Sequence, residues 1–267
     1  MRYRLPALLL IALLIVACST TPLGRRQLNL FPEAEMQKMG ITAYDEMKAN
    51  QPKSSDANVN QYVECVANRI TAALGAAGGD KAWEVTVFKD DSANAFALPG
   101  GKMGVHTGLL KVAANQDQLA TVLGHEVAHV LARHGNERVS QQYATNTGLE
   151  LVRAIAGTQT AEKNALFGLL GVGAQFGVLM PFGRLQESEA DLLGLDLMAS
   201  AGFDPRQSTE LWRNMGKASG GKQPPEFMST HPSHKTRIND LEKRIPEALA
   251  LREQALRQQK PPNCRMK

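Results

Sequence analysis

The sequence predicts an α+β fold, mostly helical, with a small sheet placed just ahead of a central helix. Three observations predict it. β-forming segments cluster between residues 83 and 107, helix-period apolar patterns flank them, and the chain after residue 117 reads as helical nearly to Arg252. Strands grouped first and helices after them suggest segregated layers. The 267 residues, 43% hydrophobic and 21% charged, are ordinary for a globular protein and long enough to bury a sizeable core. With only 5% aromatics, that core leans on Leu, Val, Ala and Met.

The first element is a leader. Arg2 and Arg4 precede an apolar run, Leu8 to Val16, too short to span a bilayer comfortably and laid out like a secretory signal. The run closes on Ile15-Val16-Ala17-Cys18, which resembles the lipobox of bacterial lipoproteins. In that class the Cys becomes the lipidated first residue of the mature chain. The plainer alternative is an ordinary signal peptide with an incidental Cys. Ser19 after the Cys, rather than Asp, points to the outer membrane. The polar stretch after it, with Pro22 and Gly24, reads as a flexible tether over 18–30.

Glu33 to Asn50 reads as a helix with Met36, Met39, Ala43 and Met47 on one face. Asp56 caps a second, running to about Leu74 with Val59, Val63, Val66 and Ile70 inward. Residues 83–88 read as a strand. Asn94–Leu98 and Lys102–Thr107 flank Pro99-Gly100-Gly101, a hairpin signal. Leu119, Val122, Leu123, Val127 and Val130 recur at helix spacing across Asp117–Arg133, and Gly135 can stop that helix. The charge-free run 164–183 reads as a buried or lid helix near the active site, with a membrane span as the alternative. The net charge of +4, which drops by two when Arg2 and Arg4 are removed, argues against a nucleic-acid partner. With Cys18 taken by lipid, Cys65 and Cys264 remain, and two thiols in an oxidising compartment pair.

The chemistry sits in the central helix. His125-Glu126-Val127-Ala128-His129 matches H-E-x-x-H. Four residues advance a helix by about 400°, leaving the two imidazoles about 40° apart and about 6 Å along the axis. Both can reach one tetrahedral zinc ion, while Glu126 reaches a water beside it as general base. A third ligand is needed. His134 fails on geometry, lying about 140° around the helix from His129, and reads as a helix-end residue near the C-terminal dipole. Glu187 and Asp191 lie four apart on one helix face, so one can bind zinc while the other accepts an N–H from a liganding imidazole. Glu189 lies about 200° from Glu187 and points elsewhere.

The H-E-x-x-H helix and the later Glu187-Ser188-Glu189-Ala190-Asp191 run resemble the HtpX-like gluzincin peptidases, metallopeptidase family forty-eight, which includes CAAX prenyl proteases and periplasmic lipoprotein proteases. Asn94 to Gly101 is similar to the strand and turn before that family's zinc helix. His231-Pro232 with Arg237-Ile238 is similar to its late His-Pro and Arg-Ile element. The resemblance implies a zincin-type domain over 31–252, followed by a tail over 253–267. It implies Glu187 as third ligand and His231 as a catalytic-site residue steadying the oxyanion. Asp191 would then orient a liganding imidazole, and Arg237 would pair with a site carboxylate. Asn94, Ala95, Phe96 and Ala97 would present a strand edge to unfolded polypeptide substrates. His106 and His234 are expected to be structural or exposed. The implied protein is a soluble zinc endopeptidase of the bacterial periplasm, held at the membrane through Cys18. The alternative is a lipid-anchored chaperone or assembly factor with a shielded, mostly inactive zinc site. A third reading, an inner-membrane protease, would use 164–183 as a span.

Overall fold

The computed structural model describes residues 18–79, 81–155, 182–218, 226–232 and 236–266, with the side chains of Cys18, 146–155 and Glu226 outside that description. Of the apolar run 164–183, only residues 182 and 183 are among them, and His234 is not. The fold is mostly helical α+β, with the strands ahead of the main run of helices. Among the described residues, no helix is long and apolar enough to cross a membrane.

An antiparallel ribbon, β1 (Cys18–Thr20) and β2 (Arg26–Leu28), opens the described chain. Helix α1 covers Glu33–Asn50 and α2 covers Ala57–Ala72. Asp56 caps α2 through its carboxylate, accepting from the amides of Asn58 and Val59, as its sequence position predicts. Strands β3 (Glu84–Phe88), β4 (Ala95–Leu98) and β5 (Lys102–His106) form a sheet in the order β3-β5-β4. β5 lies between a parallel and an antiparallel neighbour, which leaves β4 as an edge. Gly100 and Gly101 turn the β4–β5 hairpin at φ of 89° and 77°, left-handed values at which a side chain would be strained.

Helix α3 (Gln116–Leu131) runs through the centre. Every residue from Gln118 to Val130 is buried, so the helix is enclosed all round rather than amphipathic. The remaining helices are α4 (His134–Ile155), α5 (Arg184–Ser200), α6 (Gln207–Ala218), the short α7 (Glu226–Thr230) and α8 (Arg237–Gln258). Helices α3 and α5 cross at Gly124 and Gly194. A Cβ on Gly194 would lie 2.7 Å from the His125 amide nitrogen, so the crossing requires glycine. Around it Leu119, Leu123, Val127, Leu195, Met198 and Phe203 form the core. A disulfide joins Cys65 on α2 to Cys264 in the tail, with Cα atoms 5.7 Å apart. The Cys264 amide donates to Gln116 Oε1 at the start of α3, so the tail is pinned beside the central helix.

Candidate metal centre

His125 and His129 sit one turn apart on α3, and the α3–α5 crossing carries Glu187 to them. His129 Nε2 lies 3.0 Å from His125 Nε2 and 3.4 Å from Glu187 Oε1, while His125 Nε2 lies 3.6 Å from Glu187 Oε2. A fourth donor joins them: His231 Nδ1 is 3.2 Å from His125 Nε2 and 3.0 Å from Glu187 Oε1. All four residues are buried, and their ligand atoms lie within 4.8 Å of one another. Ligands bonded to zinc at about 2.0–2.1 Å in a tetrahedron stand about 3.3 Å apart. The spacing and the nitrogen and oxygen chemistry of the set therefore fit a single Zn²⁺.

Each imidazole on α3 is backed by its own chain of contacts. His125 Nδ1 meets Asp191 Oδ1 at 3.0 Å, and Arg237 Nε donates to Asp191 Oδ2 at 2.6 Å. The same guanidinium bonds Glu187 Oε2 through Nη2 and stacks 3.8 Å over the Trp212 ring. Arg237, 1% exposed, thus ties together Glu187 and Asp191 of α5. Burial pushes the Asp191 carboxyl up, but Arg237 and His125 outweigh it and hold it below its ordinary value. Glu187 is held far below the usual range, its histidine partners overcoming the cost of burial.

His129 has a different support. Its Nδ1 lies 2.9 Å from His134 Nδ1, and His134 Nε2 lies 3.2 Å from Glu189 Oε2. The expectation that His134 is a helix-end residue near the dipole of the H-E-x-x-H helix does not hold. That helix ends at Leu131, and Arg133 turns the chain at φ 55°, so His134 begins α4 and faces back, fully buried, onto His129. Glu189 does point away from Glu187, toward His134 and Arg25. The polar composition of 18–30 suggested a tether, but the segment forms the ribbon and Arg25 reaches from it to Glu189 and Glu137. Phe182 stacks on the His129 ring at 3.9 Å, and the Arg138 guanidinium lies 4.0 Å over Phe182, pushed down by burial to about 10. Sequence reasoning missed His134, Arg25, Phe182 and Arg138. A third histidine, five residues past the motif, was the one visible signal among them.

Glu126 Oε2 accepts from the Ala97 amide at 3.3 Å, placing the carboxylate between the zinc donors and the β4 edge. Its Oε1 is buried and has no hydrogen-bond partner among the described residues, although His231 Nε2 is 3.3 Å away. Burial raises the Glu126 carboxyl above its ordinary value, the direction a proton acceptor for neutral-pH work needs. The His106 amide donates to the Asn94 carbonyl, so pairing with β5 alternates and the backbone groups of Ala95 and Ala97 face the open edge. Asn94 is buried, its side-chain oxygen accepting from the Ala95 amide, and Phe96 stacks on Phe88. His106 is structural, as expected: its Nδ1 lies 2.8 Å from Ser92 Oγ and its ring meets Phe88 and Phe96 edge-on.

Fold and centre together define a gluzincin-type zinc metallopeptidase domain: a buried H-E-x-x-H helix behind an edge strand, with a glutamate from a following helix completing the donors. The family description matching residues 57–245 is Peptidase family M48, and the chain belongs to that family. It is 41% identical over 194 residues to the mitochondrial metalloendopeptidase OMA1 of Schizosaccharomyces pombe, covering 72% of this chain and 55% of that one. It is 31% identical over 238 residues to the human metalloendopeptidase OMA1, covering 86% and 45%. The β-barrel assembly-enhancing protease of Yersinia pestis is 30% identical over 211 residues, covering 77% and 43%. The chain spans about half the length of these relatives.

Proposed function

We propose that this chain is a zinc-dependent endopeptidase of the bacterial cell envelope, held through lipid on Cys18, that cuts unfolded or misassembled polypeptides. One observation carries the chemistry: Glu126 stands against both the donor cluster and the substrate-facing edge. His125, His129 and Glu187 hold the metal. A zinc ion held by them would supply Lewis-acid polarisation of the scissile carbonyl and lower a water's pKa to about 7. Glu126, whose buried Oε1 has no hydrogen-bond partner among the described residues, would take the proton of the attacking water and pass it to the leaving amine. Asp191 and Arg237 fix the His125 ring, and Arg237 also bonds Glu187, tying the two carboxylates in place. The Ala95 and Ala97 carbonyls accept from an extended substrate backbone, their amides being bonded to Asn94 and Glu126, and recognition through the backbone tolerates many sequences and so suits unfolded clients. The envelope location rests on the lipobox-like Ile15-Val16-Ala17-Cys18, and it accords with a relative named for enhancing β-barrel assembly.

Glu126→Gln tests the mechanism. Cleavage of an unfolded casein-type substrate should fall by about 10²–10⁴-fold with zinc content unchanged. Retained cleavage sinks it, and a Glu126→Gln variant that rescues a deletion phenotype favours the chaperone alternative.

A second reading is favoured by His231 Nδ1, which takes a fourth position among the donors. A catalytic zinc would need one position open for water, so on this reading His231 would occupy that position in a resting enzyme. Phe227 holds His231 there by ring stacking at 4.4 Å, and its own amide donates to the Ala93 carbonyl beside β4. Activation then moves α7, freeing the position and the approach to the edge together. His231→Ala should raise turnover if His231 blocks the metal, and lower it if His231 serves the oxyanion.

A further inference from the structure

Arg25 lies in the turn of the N-terminal ribbon, far from the zinc motifs in sequence, yet two arms leave its guanidinium toward two metal ligands. Through Nε it donates to Glu189 Oε2 at 2.8 Å, and Glu189 Oε2 receives His134 Nε2 at 3.2 Å. His134 Nδ1 then meets His129 Nδ1. Through Nη1 and Nη2 it bonds both oxygens of Glu137, at 2.6 and 2.7 Å, and Glu137 Oε2 accepts from Gln186 Nε2 at 2.7 Å. Gln186 precedes Glu187 and closes the first turn of α5 by accepting the Gly183 amide.

The proton order along the first arm follows from the ends. With His129 Nε2 committed to a metal, its Nδ1 carries hydrogen and donates to His134 Nδ1. His134 must then carry its own proton on Nε2, facing Glu189, which accepts it as a carboxylate. A carboxylate placed at the end of such a relay needs a fixed counter-charge, and Arg25 is that charge. His125 reaches its carboxylate directly, through Asp191, whose counter-charge is Arg237. The two liganding imidazoles are therefore each steadied by a carboxylate and an arginine, one arginine from the C-terminal half and one from the ribbon.

We infer that Arg25 is a positioning residue for the zinc centre, making the N-terminal ribbon a working part of the site whose docking sets how tightly the metal is held. The inference rests on the zinc reading of His125, His129 and Glu187. Outer-shell partners of this kind change metal affinity by about 10–100-fold. Linkage makes the effect mutual: whatever factor the docked ribbon adds to zinc affinity, zinc adds to the docking of the ribbon.

Zinc dissociation constants are measured on the full chain by competition with a chromophoric chelator. Arg25→Ala and Glu189→Gln should each weaken zinc binding by about 10–100-fold, with the double variant little worse than either single one. Asn29→Ala, which cuts the Asn29–Ser19 bond within the ribbon and leaves Arg25 untouched, should change affinity by less than about twofold. The visible spectrum of the cobalt-loaded protein should shift in Arg25→Ala and not in Asn29→Ala. Zinc should slow hydrogen exchange at the Thr21 and Gly24 amides of the wild-type ribbon and not in Arg25→Ala. If Arg25→Ala does not fold, Glu189→Gln decides alone. Variants that hold zinc as tightly as the wild type overturn the inference and leave the metal centre standing. A wild-type chain that takes up no zinc overturns the metal centre and the inference with it.

Discussion

Replacing Arg237 by Met removes a positive charge from a place that cannot easily replace it. The guanidinium is 1% exposed and bonds Asp191 Oδ2 and Glu187 Oε2. Breaking one side of a buried ion pair costs about 3–5 kcal/mol. Two pairs break here, but both acids keep histidine partners, so the loss should resemble that of a single pair. Protonation limits it further: neutralising a carboxylate at pH 7 costs about 1.4 kcal/mol per pH unit above its ordinary pKa, or about 4 kcal/mol. At about 2–4 °C per kcal/mol for a domain of this size, melting should fall by about 6–16 °C. The sign with pH follows. Asp191 left without Arg237 loses the main charge that offsets its burial, so its folded pKa rises above its unfolded one. The stability that protonation returns is present at low pH and lost as pH rises, so the gap to wild type should widen from pH 5.5 to pH 8. Calorimetry on the metal-stripped chain at both pH values measures it, and adding zinc should narrow the gap. A melting temperature within about 2 °C of wild type at both pH values, or a gap growing toward acid, would show that Arg237 is not the counter-charge of the site.

Gly194→Ala should separate α3 from α5, because its Cβ would meet the backbone of Gly124 and His125. A loss of about 1–3 kcal/mol is expected in urea unfolding, together with weaker zinc binding as Glu187 withdraws from the histidines; intact zinc affinity would count against the crossing as the device that sets ligand spacing. Cys264→Ser opens a loop of 199 residues, and removal of such a bond typically costs about 2–5 kcal/mol. The reduced wild type should unfold at the same urea concentration as the variant, and a difference would mean the serine itself is at fault. Acid should release the ribbon. Burial raises Glu137 and Glu189, but Arg25, Gln186 and His134 hold both below their ordinary value, Glu189 at about 2. Stability from depressed carboxylates is present above their unfolded pKa and lost as pH falls through the folded one. Hydrogen exchange at the ribbon should therefore rise between about pH 4.5 and pH 2 in the metal-free chain, and exchange that is flat over that window would exclude the clamp.

What the sequence made legible was whatever depends on short-range periodicity. The helix over Glu33–Asn50 was readable with the bounds it has in the structure, and the Asp56 cap, the Pro99-Gly100-Gly101 hairpin and the H-E-x-x-H helix were readable from spacing alone. Glu187 and Asp191 were readable as a pair because four residues on a helix share a face. The same arithmetic failed at His134, where it assumed that the helix continued. It stops at Leu131, and one left-handed residue, Arg133, reverses the direction in which His134 points. Arg25 was illegible for a deeper reason. Its partners lie 112 and 164 residues away, and nothing in a polar segment beside Pro22 and Gly24 distinguishes an arginine bound for a buried carboxylate from one in solvent.

The two supports of the metal centre differ in that respect, with a consequence for control. His125 is steadied by Asp191 and Arg237, both set in helices packed into the core, so that side of the site is fixed once the domain folds. His129 is steadied through Arg25, which is 24% exposed on a two-stranded ribbon of three residues a side. A two-stranded ribbon is marginal by itself, and it stays in place because Arg25, Leu30 and Phe31 bond to α4 and α5. Loosening of the centre should therefore begin on the His129 side, at the end of the chain nearest Cys18. Exchange protection should be lost there before it is lost in α3 or α5.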